Sequence, residues 1–260
     1  MSSPLHVIRA GTAGPLLVLV HGSATDAATW TIQLASRLPA SYRVVAYDRR
    51  GAGRSANAPG VAWHAIEEHA ADLAALVAAE GGPALVAGSS CGAAVVLELC
   101  RAHPGLVRGA IMIEPPLAAD DTAPSVPPGF VAALDALAAT AGPEAAAARF
   151  LQTVLGEAAW ARMPQQFRAR ACAAWPQIRG DCAALDAYRV RYAELAAVDV
   201  PVRLLGGDRS AAYFRPTLEA LARALPRATL AIVAGAGHML HAEAPRAFAE
   251  HVDALAAATT

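Results

Sequence analysis

The sequence predicts an α/β fold: a mostly parallel central sheet flanked by helices, with a helical segment inserted before the last strands. Three observations carry this. Near-continuous apolar runs such as Pro15-Leu-Leu-Val-Leu-Val20 alternate with helical stretches, as strands buried on both faces do. One run, Ala84-Leu-Val-Ala-Gly88, stops at a glycine and passes through Ser89-Ser90-Cys91-Gly92 straight into a helix-prone stretch. Residues 117–198 carry no strand pattern, only short amphipathic stretches, before apolar runs resume at Val200.

The elements follow in order. Residues 5–9 read as an edge strand, and residues 15–20 as a buried strand ending in His21-Gly22-Ser23. A helix is expected over 30–38, then a strand over 42–47 that closes at Asp48 and the loop Arg49-Arg50-Gly51-Ala52-Gly53-Arg54-Ser55. A helix over 65–80 sets Ala70, Leu73, Leu76 and Val77 on one face. After the Ser90 turn and its helix, residues 107–113 form a strand ending in Glu114-Pro115-Pro116. A proline-rich connector, residues 123–128, leads into short helices with Phe130, Leu134 and Leu137 at helical spacing. Seven of the fourteen aromatic residues lie in the inserted segment; most pack it onto the core, and Trp160, Phe167 and Trp175 are expected to face a substrate. The sheet resumes over 200–205, followed by Gly206-Gly207-Asp208, a helix over 217–224 and a strand over 229–233. Its exit loop is Gly235-Ala-Gly237-His238-Met239, and a helix over 245–256 closes the chain. This divides the chain into a core, 1–116 and 199–260, and a helical cap, 117–198.

Composition narrows the partners. The net charge is −1 and all the basic side chains are arginine, so no basic face invites nucleic acid. No apolar run reaches the length of a membrane span, and the first residues lack a charged region followed by an apolar core. Cys91, Cys100, Cys172 and Cys182 lack metal-ligand spacing, which fits free thiols in a reduced, cytoplasmic protein. The glycine loop at 50–55 lacks a Gly-Lys-Ser/Thr ending and matches no dinucleotide fingerprint, so it reads as a structural turn. His21 reads as a packed, hydrogen-bonded histidine. No metal and no cofactor are expected.

Gly88-x-Ser90-x-Gly92 is where the chemistry starts. A strand-to-helix turn this sharp needs glycines on either side of a strained central residue, and it leaves that side chain clear of the sheet at the positive end of a helix. Ser89 and Cys91 lack glycine two places away on both sides, so Ser90 is the candidate nucleophile. With His21-Gly22, the Asp48–Ser55 loop and Gly237-His238, in this order, essentially the whole chain resembles the α/β-hydrolase fold superfamily, in particular its serine-nucleophile, capped esterase-like and lipase-like members. Ala93 departs from it, standing where many relatives have a second glycine.

The resemblance implies a serine activated by a histidine that a carboxylate orients. His238 is the base candidate, on a glycine-flanked loop at a strand end, and His241 is its rival. The backbone N–H groups of Cys91 and Ser23 are the expected oxyanion hole. Two carboxylates compete for the third role. Asp208 follows the strand after the cap, where most relatives keep their acid. It falls two residues short of the usual spacing, which lands on Ser210 when counted from Pro201. Glu114 ends the strand after the Ser90 turn, six residues after Arg108-Gly109, as in a subset of relatives that includes haloalkane dehalogenases. Glu114 is preferred, with Asp208 the alternative. The expected reaction is hydrolysis of a carboxylic ester, lactone or thioester of an apolar small molecule through an acyl-Ser90 intermediate. Carbon–carbon bond hydrolysis, amide hydrolysis, acyl transfer and perhydrolysis run on the same triad, and a small-molecule receptor with slow turnover would keep it too. Relatives that open epoxides or cleave carbon–halogen bonds use an aspartate nucleophile, against which Ser90 argues.

Overall fold

A computed structural model describes residues 5–55, 61–119, 123 and 125–259. The first four residues and Pro124 of the proline-rich connector lie outside them. Seven strands are ordered β1-β3-β2-β4-β5-β6-β7: β1 (Val7–Ala10), β2 (Leu16–Val20), β3 (Arg43–Tyr47), β4 (Ala84–Ser89), β5 (Val107–Ile113), β6 (Val202–Gly207) and β7 (Ala228–Val233). Only β1 runs antiparallel, pairing Val7 with Tyr47 at the edge. All five residues of β2 and all six of β4 are buried, as their uninterrupted apolar character requires of central strands.

Helices cover both faces. On one, α2 (Ile66–Ala79), α3 (Cys91–Ala102) and α9 (Phe214–Ala224) pack over Val18, Val86, Met112 and Leu204. On the other, α11 (Pro245–Ala257) brings Phe248 and Val252 against Leu19, Ala87 and Ile111 beside Trp30. Side chains of this size each contribute about 1.5–3 kcal/mol on full burial. The helix α3 is buried from Cys91 to Cys100 because its axis runs under the sheet's centre. The close approach depends on glycine: a Cβ on Gly88 would stand 2.3 Å from the Gly92 carbonyl oxygen, and one on Gly92 2.5 Å from those of Val20 and His21.

Between β5 and β6 the chain forms the inserted cap: α4 (Phe130–Ala141), α5 (Pro143–Leu155), α6 (Glu157–Arg162), α7 (Gln165–Ala173) and α8 (Trp175–Ala187). Its own apolar cluster joins Ala147, Leu151, Cys172, Ile178 and Cys182, with Trp160 and Trp175 packed at its margin. All four cysteines are buried free thiols. Among the described residues no helix is long and apolar enough to cross a membrane.

The helix expected over 30–38 is instead a broken run: a 3-10 turn Ala27–Trp30, one α-turn, α1 (Thr31–Leu34), and a second 3-10 turn Leu38–Ala40. Hydroxyls compete for the backbone there, Thr31 Oγ1 donating to Ala28 O at 2.7 Å and Ser36 Oγ to Gln33 O at 2.8 Å, and Pro39 forbids continuation. Helix α9 begins at Phe214, three residues before the expected start. One further turn, α10 (Leu240–Glu243), precedes α11.

Candidate active site

The candidate residues emerge from the carboxyl ends of the strands, where open parallel sheets bind ligands. Ser90 caps α3 with φ 54° and ψ −125°, left-handed backbone that a serine adopts only when its surroundings enforce it. Enforcement is visible: its N–H donates to Ile113 O at 2.8 Å, continuing the β4–β5 ladder through the turn, and its carbonyl accepts from Ala93 N–H at 2.8 Å. Gly22 lets the loop after β2 pack close, since a Cβ there would lie 3.0 Å from both Ser90 Cβ and Ser89 O. Among the described residues the Ser23 and Cys91 backbone N–H groups donate no hydrogen bond within the protein.

Glu114, 1% exposed, follows β5 and also has a positive φ, 45°. Its N–H donates to Leu205 O at 3.1 Å, and its Oε1 accepts from Gly207 N–H at 2.8 Å. That leaves Oε2 2.6 Å from Nδ1 of His238. A carboxylate can only accept, so the imidazole carries its proton on Nδ1 and keeps a lone pair on Nε2. Phe214 stacks on the His238 ring, centroids 4.5 Å apart and planes 10° from parallel. Glu243 holds the loop just before it, Oε2 accepting from Gly237 N–H at 2.9 Å. Asp208 stands elsewhere: exposed on the turn after β6, it accepts from Gly235 N–H at 2.8 Å in the loop after β7.

Ser90, His238 and Ser23 line one cavity of about 540 Å³. One wall is apolar: α5 contributes Phe150, Leu151, Val154 and Leu155, the turn before α7 adds Met163, and α7 adds Phe167. The other wall comes from the loop after β2 and carries Thr25, Asp26 and Thr29. Asp26 pairs with Arg170 of α7 across the edge of the cavity, and Phe167 is 54% exposed there. Of the three cap aromatics expected to meet a substrate, Phe167 is on the lining. Trp160 and Trp175 are not; both pack in the cap cluster, where Trp160 also lies under the Arg168 guanidinium. The α5 wall escaped the sequence reading, although Phe150, Leu151, Val154 and Leu155 follow the i, i+1, i+4, i+5 stripe of one helix face.

Two other histidines near the site, His21 and His241, are neutral packing groups. His21 is fully buried, its Nε2 accepting from Arg49 N–H at 2.9 Å and its Nδ1 facing Gly22 O at 2.7 Å. Burial, then the nearby Arg49 charge, pushes its pKa down to about 4. His241 touches the cavity but sits against Trp30 and meets Thr29 Oγ1 through Nε2 at 3.1 Å; burial lowers it to about 3. The glycine loop is a turn built on Asp48, which accepts from Ala27 N–H at 2.8 Å and Arg54 N–H at 2.7 Å. Burial pushes the Cys91 thiol up, away from thiolate chemistry. Among the described residues no group of three or more histidine, cysteine or acidic side chains could hold a metal ion.

A family model described as "Alpha/beta hydrolase family" matches residues 17–251. The chain is 42% identical over 104 residues to the uncharacterized hydrolase YraK of Bacillus subtilis, covering 40% of this chain and 38% of that one. It is 38% identical over 118 residues to lipase LipV of Mycobacterium tuberculosis, covering 45% and 43%. The match thus spans less than half the length of either curated relative. A solved alpha/beta hydrolase from Sphaerobacter thermophilus superposes with a TM-score of 0.66 at 31% identity, over 88% of each chain.

Proposed function

Because the chain belongs to the alpha/beta hydrolase family, we propose that it is a serine hydrolase cleaving a small-molecule carboxylic ester, lactone or thioester through an acyl-Ser90 intermediate. The observation that carries this reading is the 2.6 Å contact between Glu114 and His238 Nδ1, on an imidazole that shares a cavity wall with the strained Ser90. The apolar α5 wall fits an acyl or alkyl chain, and the similarity to a protein named a lipase points the same way.

In this reading Nε2 of His238 takes the Ser90 Oγ proton as the oxygen attacks the carbonyl carbon. The carbonyl π pair moves onto oxygen, and the Ser23 and Cys91 N–H groups, with the N-terminus of α3 behind them, hold that charge. Collapse expels the alcohol, thiol or opened lactone oxygen, which takes the proton from His238. A water then repeats the sequence on the acyl-enzyme and releases the acid. Glu114 stays ionised throughout, fixing the tautomer and stabilising the imidazolium.

The test is covalent. An organofluorophosphonate should add one label to the intact protein, and turnover of p-nitrophenyl esters of graded chain length should be lost with it. Ser90→Ala should take no label, whereas Ser89→Ala and Cys91→Ala should still take one. Labelling of Ser90→Ala at Ser89 would sink the assignment, and a wild-type protein that binds esters without turning them over would be a receptor.

A further inference from the structure

Behind the loop after β2 lies an ion pair that the reaction itself does not use. Arg49 and Asp181 are 1% and 4% exposed, and they join the core to cap helix α8 through two bonds of 2.9 and 2.7 Å. Taking such a pair out of water is costly, so its presence is poor evidence of stabilisation, and its placement needs a reason. Every N–H of the guanidinium is engaged. Nε donates to His21 O at 3.1 Å, one terminal nitrogen to Gly22 O at 3.1 Å, and the other faces His69 Nε2 at 3.3 Å, besides the two bonds to Asp181. The Ser23 hydroxyl helps to lower the Asp181 carboxyl against burial, and after burial itself Asp181 helps to raise the Cys91 thiol. These are the side chains of the two residues whose backbone N–H groups form the oxyanion hole in the reading above. Gln177, one turn earlier on the same face of α8, donates to Gly22 O at 3.3 Å and Thr25 O at 3.0 Å.

We infer that Asp181 and Gln177 of the cap, with Arg49 of the core, are positioning residues that hold the loop from His21 to Thr25, and with it the Ser23 N–H, in oxyanion-binding geometry, so that α8 belongs to the catalytic apparatus as well as to the cap. This rests on the serine-hydrolase reading. The pairing also solves an electrostatic problem. An unneutralised carboxylate this near the hole would repel the developing oxyanion, and Arg49 cancels its charge. The hole therefore gains a rigid support from the cap without a net negative field.

A positioning role predicts a loss specific to the transition state. Asp181→Asn should lower kcat for a p-nitrophenyl ester between about tenfold and about a hundredfold, less than outright deletion of a donor, with KM little changed. Affinity for an alkyl boronic acid, which forms a tetrahedral anion on Ser90, should fall in proportion, while affinity for the product alcohol stays the same. Gln177→Ala should show the same pattern more weakly, and it decides the matter if Asp181→Asn does not fold. Arg179→Ala is the control: it lies on the same helix but pairs outward with Asp135, so it should match wild type. Should the variants keep wild-type kcat and boronate affinity, or lose boronate and alcohol affinity alike, the inference is overturned while the serine-hydrolase reading stands. A wild-type protein that neither labels at Ser90 nor turns over any ester removes both.

Discussion

A carboxamide at position 114 cannot do what the carboxylate does. Its oxygen can still accept from Gly207 N–H, but its NH₂ then faces His238 Nδ1 and favours the tautomer with the proton on Nε2. Glu114→Gln should therefore leave the melting temperature close to wild type and lower kcat by a factor on the order of 10⁴, as in the best-studied serine triad. Asp208→Asn, at an exposed turn that an amide oxygen can still serve, should cost at most about tenfold. Stopped-flow ester hydrolysis distinguishes the two, and the reverse ranking would pass the role to Asp208. Ser90 and His238 could be picked out in sequence because glycine spacing marks a strained turn and a turn-borne imidazole. Glu114 and Asp208 stayed in competition there, since each ends a strand and local pattern says nothing about which carboxylate meets a ring 124 residues from Glu114. Asp181 had no local signature at all. Its partner Arg49 lies 132 residues away, and only the docking of α8 brings them together.

At the scale of elements, the cap helices divide between lining the cavity and holding the cap together. Phe167 of α7 is on the lining, so Phe167→Ala should shift the preferred acyl chain length, at about 1–3 kcal/mol of discrimination per methylene-sized change. Trp160→Ala, in the cap cluster, should lower the melting temperature and leave chain-length preference unmoved. A p-nitrophenyl ester panel read beside thermal denaturation checks both; a preference shift in Trp160→Ala would move it to the substrate. Deep in the core, Leu97→Ala on α3 should destabilise by roughly 2–5 kcal/mol, measured as a fall in the urea midpoint at constant m-value. Strands and long helices were legible because their apolar period is set by burial on one or two faces. The stretch 27–40 was not, because Ser and Thr hydroxyls and Pro39 outweigh its apolar spacing. The two tryptophans misled for a related reason: composition says that a large apolar group is buried, not on which side of its helix.

Over the whole molecule, three buried histidines make stability depend on acid. Burial first, and then the Arg49 charge for His21 and His69 and the neighbouring His238 ring for His241, holds His21 at about 4, His69 at about 2 and His241 at about 3, against 6.5 for the free group. Below about pH 6.5 the unfolded chain binds protons that the folded one refuses, so stability is full above that value and falls as pH drops toward about 4. Each such histidine adds a slope of about 1.4 kcal/mol per pH unit while the two states differ by a whole proton. Asp181 extends the same trend to lower pH: burial raises its carboxyl, but Arg49, His69 and Ser23 together bring it below the ordinary range. Urea midpoints measured across this window should fall steadily, and His241→Gln should flatten the fall. The sheet carries a different consequence. Ser23, Ser90, Glu114 and His238 all follow the carboxyl ends of β2, β4, β5 and β7, while the opposite ends turn through surface such as the exposed residues 102–105, where a Cβ on Gly105 would meet nothing within 4 Å. The two rims are thus free to diverge independently. A short epitope tag spliced at Gly105, or new chain termini opened there, should leave any ester turnover intact, so that rim is the handle by which the protein can be immobilised or fused without touching the candidate site.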